Sequence, residues 1–119
     1  MVIRHIEFTS GEAAILIPIV NAVITLHESV FERKIEYLNV KKLAYLKEVV
    51  GLLHDGIDLD LEVVIEVNEY YYYEFQLIKD ILIDMSALMD PVAKEPYILV
   101  ACKIDKILQY YCHVKAVKS

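Results

Sequence analysis

From Leu61 to Met89 the apolar residues recur at alternating steps of three and four, through Leu61, Val64, Tyr71, Phe75, Ile78, Leu82, Met85 and Met89, with Asn68 the one amide in the series. A repeat of about 3.5 residues is the seam of a long packed helix, so a helix is predicted over 60–89. Tyr97, Val100, Ile104, Ile107, Tyr111 and Val114 repeat the spacing and predict a helix over 96–116, opening on Pro96, a residue suited to a first turn. Leu43, Leu46, Val50 and Leu53 form one stripe of a helix over 40–55, with Asn39 as its cap and Asp55-Gly56 as its stop. Asp90-Pro91 ends the third helix, because the residue before proline resists the α region.

The first helix is predicted over 10–38. Thr9-Ser10-Gly11-Glu12 matches a capping box, in which the Thr9 hydroxyl accepts from the Glu12 amide and the Glu12 carboxylate reaches back. Its first half is apolar nearly all round, as in a central buried helix, and Pro18 interrupts its hydrogen-bond ladder. The predicted fold is therefore mainly α: a single-domain four-helix bundle spanning 1–119, with Val2–Phe8 as a short strand or extended arm. Its expected core includes Leu16, Val20, Val23, Leu46, Val50, Phe75, Ile78, Leu82, Ile104, Ile107 and Tyr111. One segment resists this scheme. Ile57–Val63 alternates apolar and acidic residues with the period of a half-buried strand. The alternative is an α+β fold with a two-stranded ribbon from 2–8 and 57–63, which delays the third helix to about Val64.

Composition sharpens this picture. Hydrophobic residues make up 57% of the 119, and Gly and Pro appear three times each. So few turn residues exclude a β-sandwich, and the apolar surplus over the usual ~45–50% leaves two readings: one fully buried helix, or surface covered by another chain. The apolar run Ala13–Leu26 has fourteen residues, short of the ~20 that span a bilayer. Glu7 and Glu12 precede it and no small-x-small site follows before His27, so it is not read as a signal peptide. Cys102 and Cys112 lie ten residues apart in one predicted helix. That separates them by about 15 Å along the axis, too far for a disulfide, which needs Cα atoms within about 7 Å. Free thiols fit a reducing compartment, and the expected location is cytoplasmic, with no membrane attachment.

The net charge of −6 is uneven: residues 57–95 hold ten acids against Lys79 and Lys94 (−8), and residues 96–119 hold four lysines against Asp105 (+3). This balance makes a poor nucleic-acid binder, since phosphate neutralisation supplies much of that affinity. On the predicted third helix Glu62, Glu66, Glu69, Gln76, Asp80 and Asp84 form an outer stripe, either a solvated face or a docking strip for a basic partner. Lys103, Lys106, Lys115 and Lys118 are candidates to pair with it inside the bundle or across a dimer.

A search for chemistry returns little. No Glu-x-x-His, Cys-x-x-Cys or Gly-rich phosphate loop occurs, and His5, His27, His54 and His113 are scattered. The cysteines lie near a seam and read as small core hydrophobes rather than reactive thiols. No catalytic residue, metal ligand or cofactor is assigned, and an enzyme is not expected.

Surface remains. In the heptad frame Tyr71 is on the seam and Tyr72 flanks it, while Tyr70 and Tyr73 take outer positions. Tyrosine is enriched at interface hot spots, so Tyr70, Tyr73, Glu66, Glu69 and Asp80 are the candidate partner-binding residues. The expected function is a small acidic interaction module of inhibitor, antitoxin, immunity or adaptor type, with a protein partner and a C2 homodimer. The alternative is a small-molecule sensor or carrier with an apolar pocket between the first and third helices, to which Asn21, Asn68 and Tyr72 supply polar contacts.

Overall fold

A computed structural model describes the backbone of residues 3–31 and 37–118 and the side chains of 3–29 and 40–112. The protein is mainly α, and its described residues form four helices and a short two-stranded antiparallel sheet. In chain order these are β1 (Ile3–Phe8), α1 (Ser10–Phe31), α2 (Tyr37–Leu59), β2 (Val63–Asn68), a 3₁₀ turn (Glu69–Tyr71), α3 (Tyr72–Ala87) and α4 (Pro91–Lys118). The chain divides into two compact units, Phe8–Ile65 and Met1–Glu7 with Glu66–Ser119.

In the unit Phe8–Ile65, α1 packs on α2. The capping box forms: Glu12 N–H donates to Thr9 Oγ1 at 3.2 Å and Thr9 N–H to Glu12 Oε1 at 2.9 Å. α1 runs through Pro18 and buries one stripe, Ala13, Leu16, Ile19, Val20, Val23 and Ile24. It is not buried all round, since Ala14, Pro18, Asn21, Ala22 and Leu26 are exposed. The fourteen-residue limit on its apolar run was too strict. Ser10–Ser29 is long and apolar enough to cross a membrane by length and composition alone, and 33% of that window is buried in the protein.

The predicted helix boundaries near 38 and 40 shift. α2 already begins at Tyr37, so Asn39 is its third residue rather than its cap; 32–36 lie outside the described residues. Gly56 does not stop α2, which continues to Leu59. The end is a Schellman motif: Leu61 N–H reaches the Gly56 carbonyl at 3.0 Å and Asp60 N–H the Ile57 carbonyl at 3.2 Å. Asp60 takes the left-handed position at φ 51°, where Asp is one of the few tolerated non-glycine residues. Gly56 is needed for a different reason. A Cβ there would lie 2.0 Å from Val63 Cγ2.

The predicted helix over 60–89 is overturned in its first third. Val63–Asn68 is a strand, with Val63, Ile65 and Val67 buried and Val64 and Glu66 exposed. Four β-branched residues in five positions favour the pleated backbone. The ribbon therefore exists, formed by β1 and β2, but its second strand is 63–68 rather than 57–63, starting six residues later. α2 and its cap consume the alternating segment.

In the other unit α3 packs on α4. The second half of the predicted seam survives: Phe75, Ile78 and Leu82 are buried on α3. Val100, Ala101, Ile104, Leu108 and Tyr111 bury the facing stripe of α4, while Ile107 and, on α2, Val50 are half-buried. α4 begins five residues before Pro96. Asp90 Oδ1 caps it by accepting from Ala93 N–H at 2.9 Å, and Pro91 takes the first helical position, where its missing N–H costs nothing. The side chains of His113, Val114, Lys115 and Lys118 lie outside the described residues.

Candidate functional site

A cluster of polar and aromatic side chains lies where β2 hands over to α3. Asn68 is not a seam amide. Its Oδ1 accepts from Tyr70 N–H at 2.9 Å and caps the 3₁₀ turn. That turn changes the direction of the chain, so the four tyrosines straddle a turn and a helix start. Tyr70 and Tyr73 are 57% and 59% exposed, and Tyr71 and Tyr72 are half-buried. Glu66 points outward from β2, Glu69 is exposed in the turn, and Asp80 is exposed on α3, where its Oδ1 accepts from Gln76 Nε2 at 3.0 Å. The acidic stripe expected along one helix is thereby broken up. Glu62 precedes β2, Glu66 is on the strand and Glu69 is in the turn; Gln76, Asp80 and Asp84 alone share α3.

Glu69, Tyr70, Tyr72, Tyr111 and Cys112 line a cleft of about 430 Å³. Its floor is fixed by Tyr111, a buried ring whose hydroxyl donates to the Val67 carbonyl at 2.6 Å. Burial pushes that hydroxyl above its ordinary pKa of 10.0; a hydrogen bond from the Arg4 backbone works the other way, and the Glu69 carboxylate adds a smaller upward push. Beside it, Tyr110 meets Tyr111 edge to face, with centroids 5.4 Å apart and planes at 74°. The Arg4 guanidinium sits 4.3 Å from the Tyr110 ring centroid. Of the sequence-derived candidates, the structure brings Glu69, Tyr70 and Tyr72 together here; Tyr73 and Asp80 do not line the cleft. Asn21 is exposed on α1, in the unit Phe8–Ile65.

The sequence reading puts the lysines of this pairing on α4, whereas the ion pair described between the two helices has its lysine on α3. The polarity is reversed: Lys79 of α3 bonds Asp105 of α4 at 2.9 Å, while Lys103 Nζ donates to the Glu7 carbonyl at 3.1 Å. The Asp105 hydrogen bond, the largest influence, holds the Lys79 ammonium above its ordinary pKa of 10.5. Lys79 and Asp105 border a second groove of about 270 Å³ with Ile83, Ile98, Ala101 and Cys102. Both cysteines are exposed free thiols, not core residues: Cys102 and Cys112 each fall one position off the buried Ala101 and Tyr111.

Among the described residues, no three His, Cys, Asp or Glu side chains converge as a metal-binding group. No family model, curated protein or solved structure matches the chain. Sequence reasoning missed the cleft because Tyr111 read only as core, and nothing in a linear seam brings it to Glu69 and Tyr72. It also missed Glu74, fully buried on α3, which is one acid among many in the sequence.

Proposed function

We propose that this protein is a non-catalytic interaction module that acts by occupying the surface of a protein partner, in the manner of a small inhibitor, antitoxin, immunity or adaptor subunit. The observation that carries this reading is the exposure of Tyr70 and Tyr73, at 57% and 59%, at the turn between β2 and α3. Two large rigid side chains with polar tips held outward are the residue type that anchors interfaces. Glu66 and Glu69 are exposed in the same stretch of chain, inside the segment 57–95 that carries −8. A partner face with basic residues around an apolar centre complements it, since opposite charge raises the encounter rate and selects against acidic surfaces.

The test is co-purification from the native host with wild-type protein and with the double variant Tyr70→Glu/Tyr73→Glu. A stoichiometric protein partner that is recovered with the wild type and lost with the variant, at unchanged helicity by circular dichroism, supports the reading. Recovery of no such partner, together with turnover of a metabolite by the purified protein, overturns it in favour of an enzyme.

A further inference from the structure

We propose that the groove where α2 ends and β2 begins is a second docking surface, which receives one large apolar side chain from a basic segment of a partner protein. The groove lies within the unit Phe8–Ile65. Neither Tyr70 nor Tyr73 lines it, so it goes beyond the tyrosine surface and is separable from it.

The groove follows from the way α2 ends. In a Schellman motif the residue after the left-handed position commonly packs an apolar side chain on the residue that accepts its hydrogen bond, or on the one before that. Here the first residue is Leu61 and its acceptor is Gly56, at 3.0 Å; the one before is Asp55. A glycine and an acid offer Leu61 no apolar side chain from its own helix end, and Leu61 is 59% exposed. Gly56 is itself required by Val63, which fills the space that a Cβ would take. The close approach of β2 to α2 thus opens a gap beside Leu61.

The gap has apolar walls. Leu52, Leu59, Leu61 and Val64 line it around Gly56 and Val63, and each of those four is more than a third exposed, Leu59 at 67%. Its volume is about 170 Å³, below the ~300–1,000 Å³ of small-molecule sites. That size suits a single anchoring side chain better than a free ligand.

Charge selects the partner. Asp55, Asp58, Asp60 and Glu62 place four acids within eight residues, in a stretch with no lysine or arginine between Lys47 and Lys79. All four are exposed, and Asp55 and Glu62 line the groove itself. Asp60 also accepts from the Ser10 hydroxyl at 2.9 Å, which ties the start of α1 to this end of α2. The alternation of apolar and acidic residues over 57–62 is therefore not the mark of a strand; it presents leucines and carboxylates together at a fixed helix end. Its complement is an apolar anchor flanked by lysine or arginine, with the anchor supplying affinity and the charges supplying steering and selectivity.

The probe is a phage library of random dodecapeptides, selected on the full-length protein and depleted in each round on Leu59→Lys/Leu61→Lys. Both substitutions fall at exposed positions, and the variant is used once its circular dichroism matches wild type. The enriched peptides are expected to carry a large apolar residue flanked by lysine or arginine. In fluorescence polarisation with the best of them, Leu61→Ala should weaken binding about 5- to 30-fold. Asp55→Asn/Glu62→Gln should weaken it about 2- to 10-fold and flatten its dependence on salt between about 50 and 500 mM. Tyr70→Ser/Tyr73→Ser should leave the affinity within about 2-fold, even where it abolishes capture of a partner at the tyrosine surface. The proposal is overturned if no peptide distinguishes wild type from Leu59→Lys/Leu61→Lys, or if the enriched peptides lack basic residues. It is equally overturned if light scattering shows a dimer that Leu59→Lys/Leu61→Lys dissociates, which would place a second copy of the chain in the groove.

Discussion

Two glycines of α2 give opposite responses to the same substitution. Gly51 is exposed and an added Cβ meets nothing within 4 Å. Alanine there gains helix propensity and restricts the unfolded chain, so Gly51→Ala should stabilise by about 0.5–1 kcal/mol. Gly56→Ala has the same propensity gain, but its Cβ would lie 2.0 Å from Val63 Cγ2 and 3.3 Å from the Leu61 carbonyl oxygen. Carbon atoms rest about 3.5–4.0 Å apart, so the two must separate by roughly 1.5–2 Å. Neither side yields easily. Val63 is 5% exposed and stiff at χ1, and Leu61 is tied to the helix end by its hydrogen bond to Gly56. Overpacking of this kind costs about 1–3 kcal/mol or more, enough to exceed the propensity gain and destabilise the protein. Urea denaturation by circular dichroism should therefore move the midpoint up for Gly51→Ala and down for Gly56→Ala, at constant m-value. A glycine that merely ended the helix would also resist alanine, so the deciding measurement is the double variant. In a Val63→Ala background the cost of Gly56→Ala should fall toward zero, a coupling of about 1–3 kcal/mol. If the cost is unchanged, α2 does not approach β2 at this point and the reasoning fails.

Thr9→Ala removes the acceptor for the Glu12 amide and should cost about 1 kcal/mol in the same assay. Tyr111→Phe leaves the Val67 carbonyl without its 2.6 Å donor and should cost about 1–3 kcal/mol. The Tyr111 hydroxyl has a raised pKa in the folded state, so its contribution is complete below pH 10.0 and is lost as pH rises through the folded value. Lys79, raised above 10.5 chiefly by its hydrogen bond to Asp105, acts in the same direction and window. Stability measured from pH 9 to 12 should thus fall less steeply for Tyr111→Phe and for Lys79→Met than for wild type. For self-association, light scattering at ~100 μM should show a dimer that Tyr70→Glu/Tyr73→Glu dissociates at constant helicity; a monomeric wild type refutes that expectation.

The parts of the fold legible in the sequence are those whose signal is local and redundant. Thr9 and Glu12 form the capping box because both partners of two reciprocal bonds lie within four residues. Phe75, Ile78 and Leu82 were readable because a helical stripe repeats, and three hits at one spacing leave little ambiguity. β2 was hidden by coincidence. Leu61, Val64 and Asn68 fall on the heptad that begins properly at Phe75, and an exposed Val64 spoils the strand's own apolar–polar alternation. The cue that outweighs the heptad is chemical: Val63, Val64, Ile65 and Val67 are all β-branched, which costs a helix side-chain entropy and suits a strand. At the start of α4 the pair Asp90-Pro91 was read as a stop when it is equally a cap followed by a first-turn proline. A proline signals a boundary without saying which side of it the helix occupies.

The site shows where such reading ends. Tyr70 and Tyr73 could be placed outside any seam from spacing alone, yet what surrounds them depends on Asn68. An amide two turns into a helix and an amide capping a 3₁₀ turn are the same letter. Only the second bends the chain so that Glu69 and Tyr72 share a cleft with Tyr111. Tyr111 was read as core, and it is buried, but a buried ring can still form the wall of an open cleft. Its hydroxyl bond to Val67 spans 44 residues. No periodicity encodes a pairing at that separation. It arises because β2 was formed where a helix was expected, which exposed the Val67 carbonyl to a side chain on α4. The same local error in the sequence reading therefore concealed both the strand and the cleft, and the β-branched run that corrects the first is the only sequence cue that leads to the second.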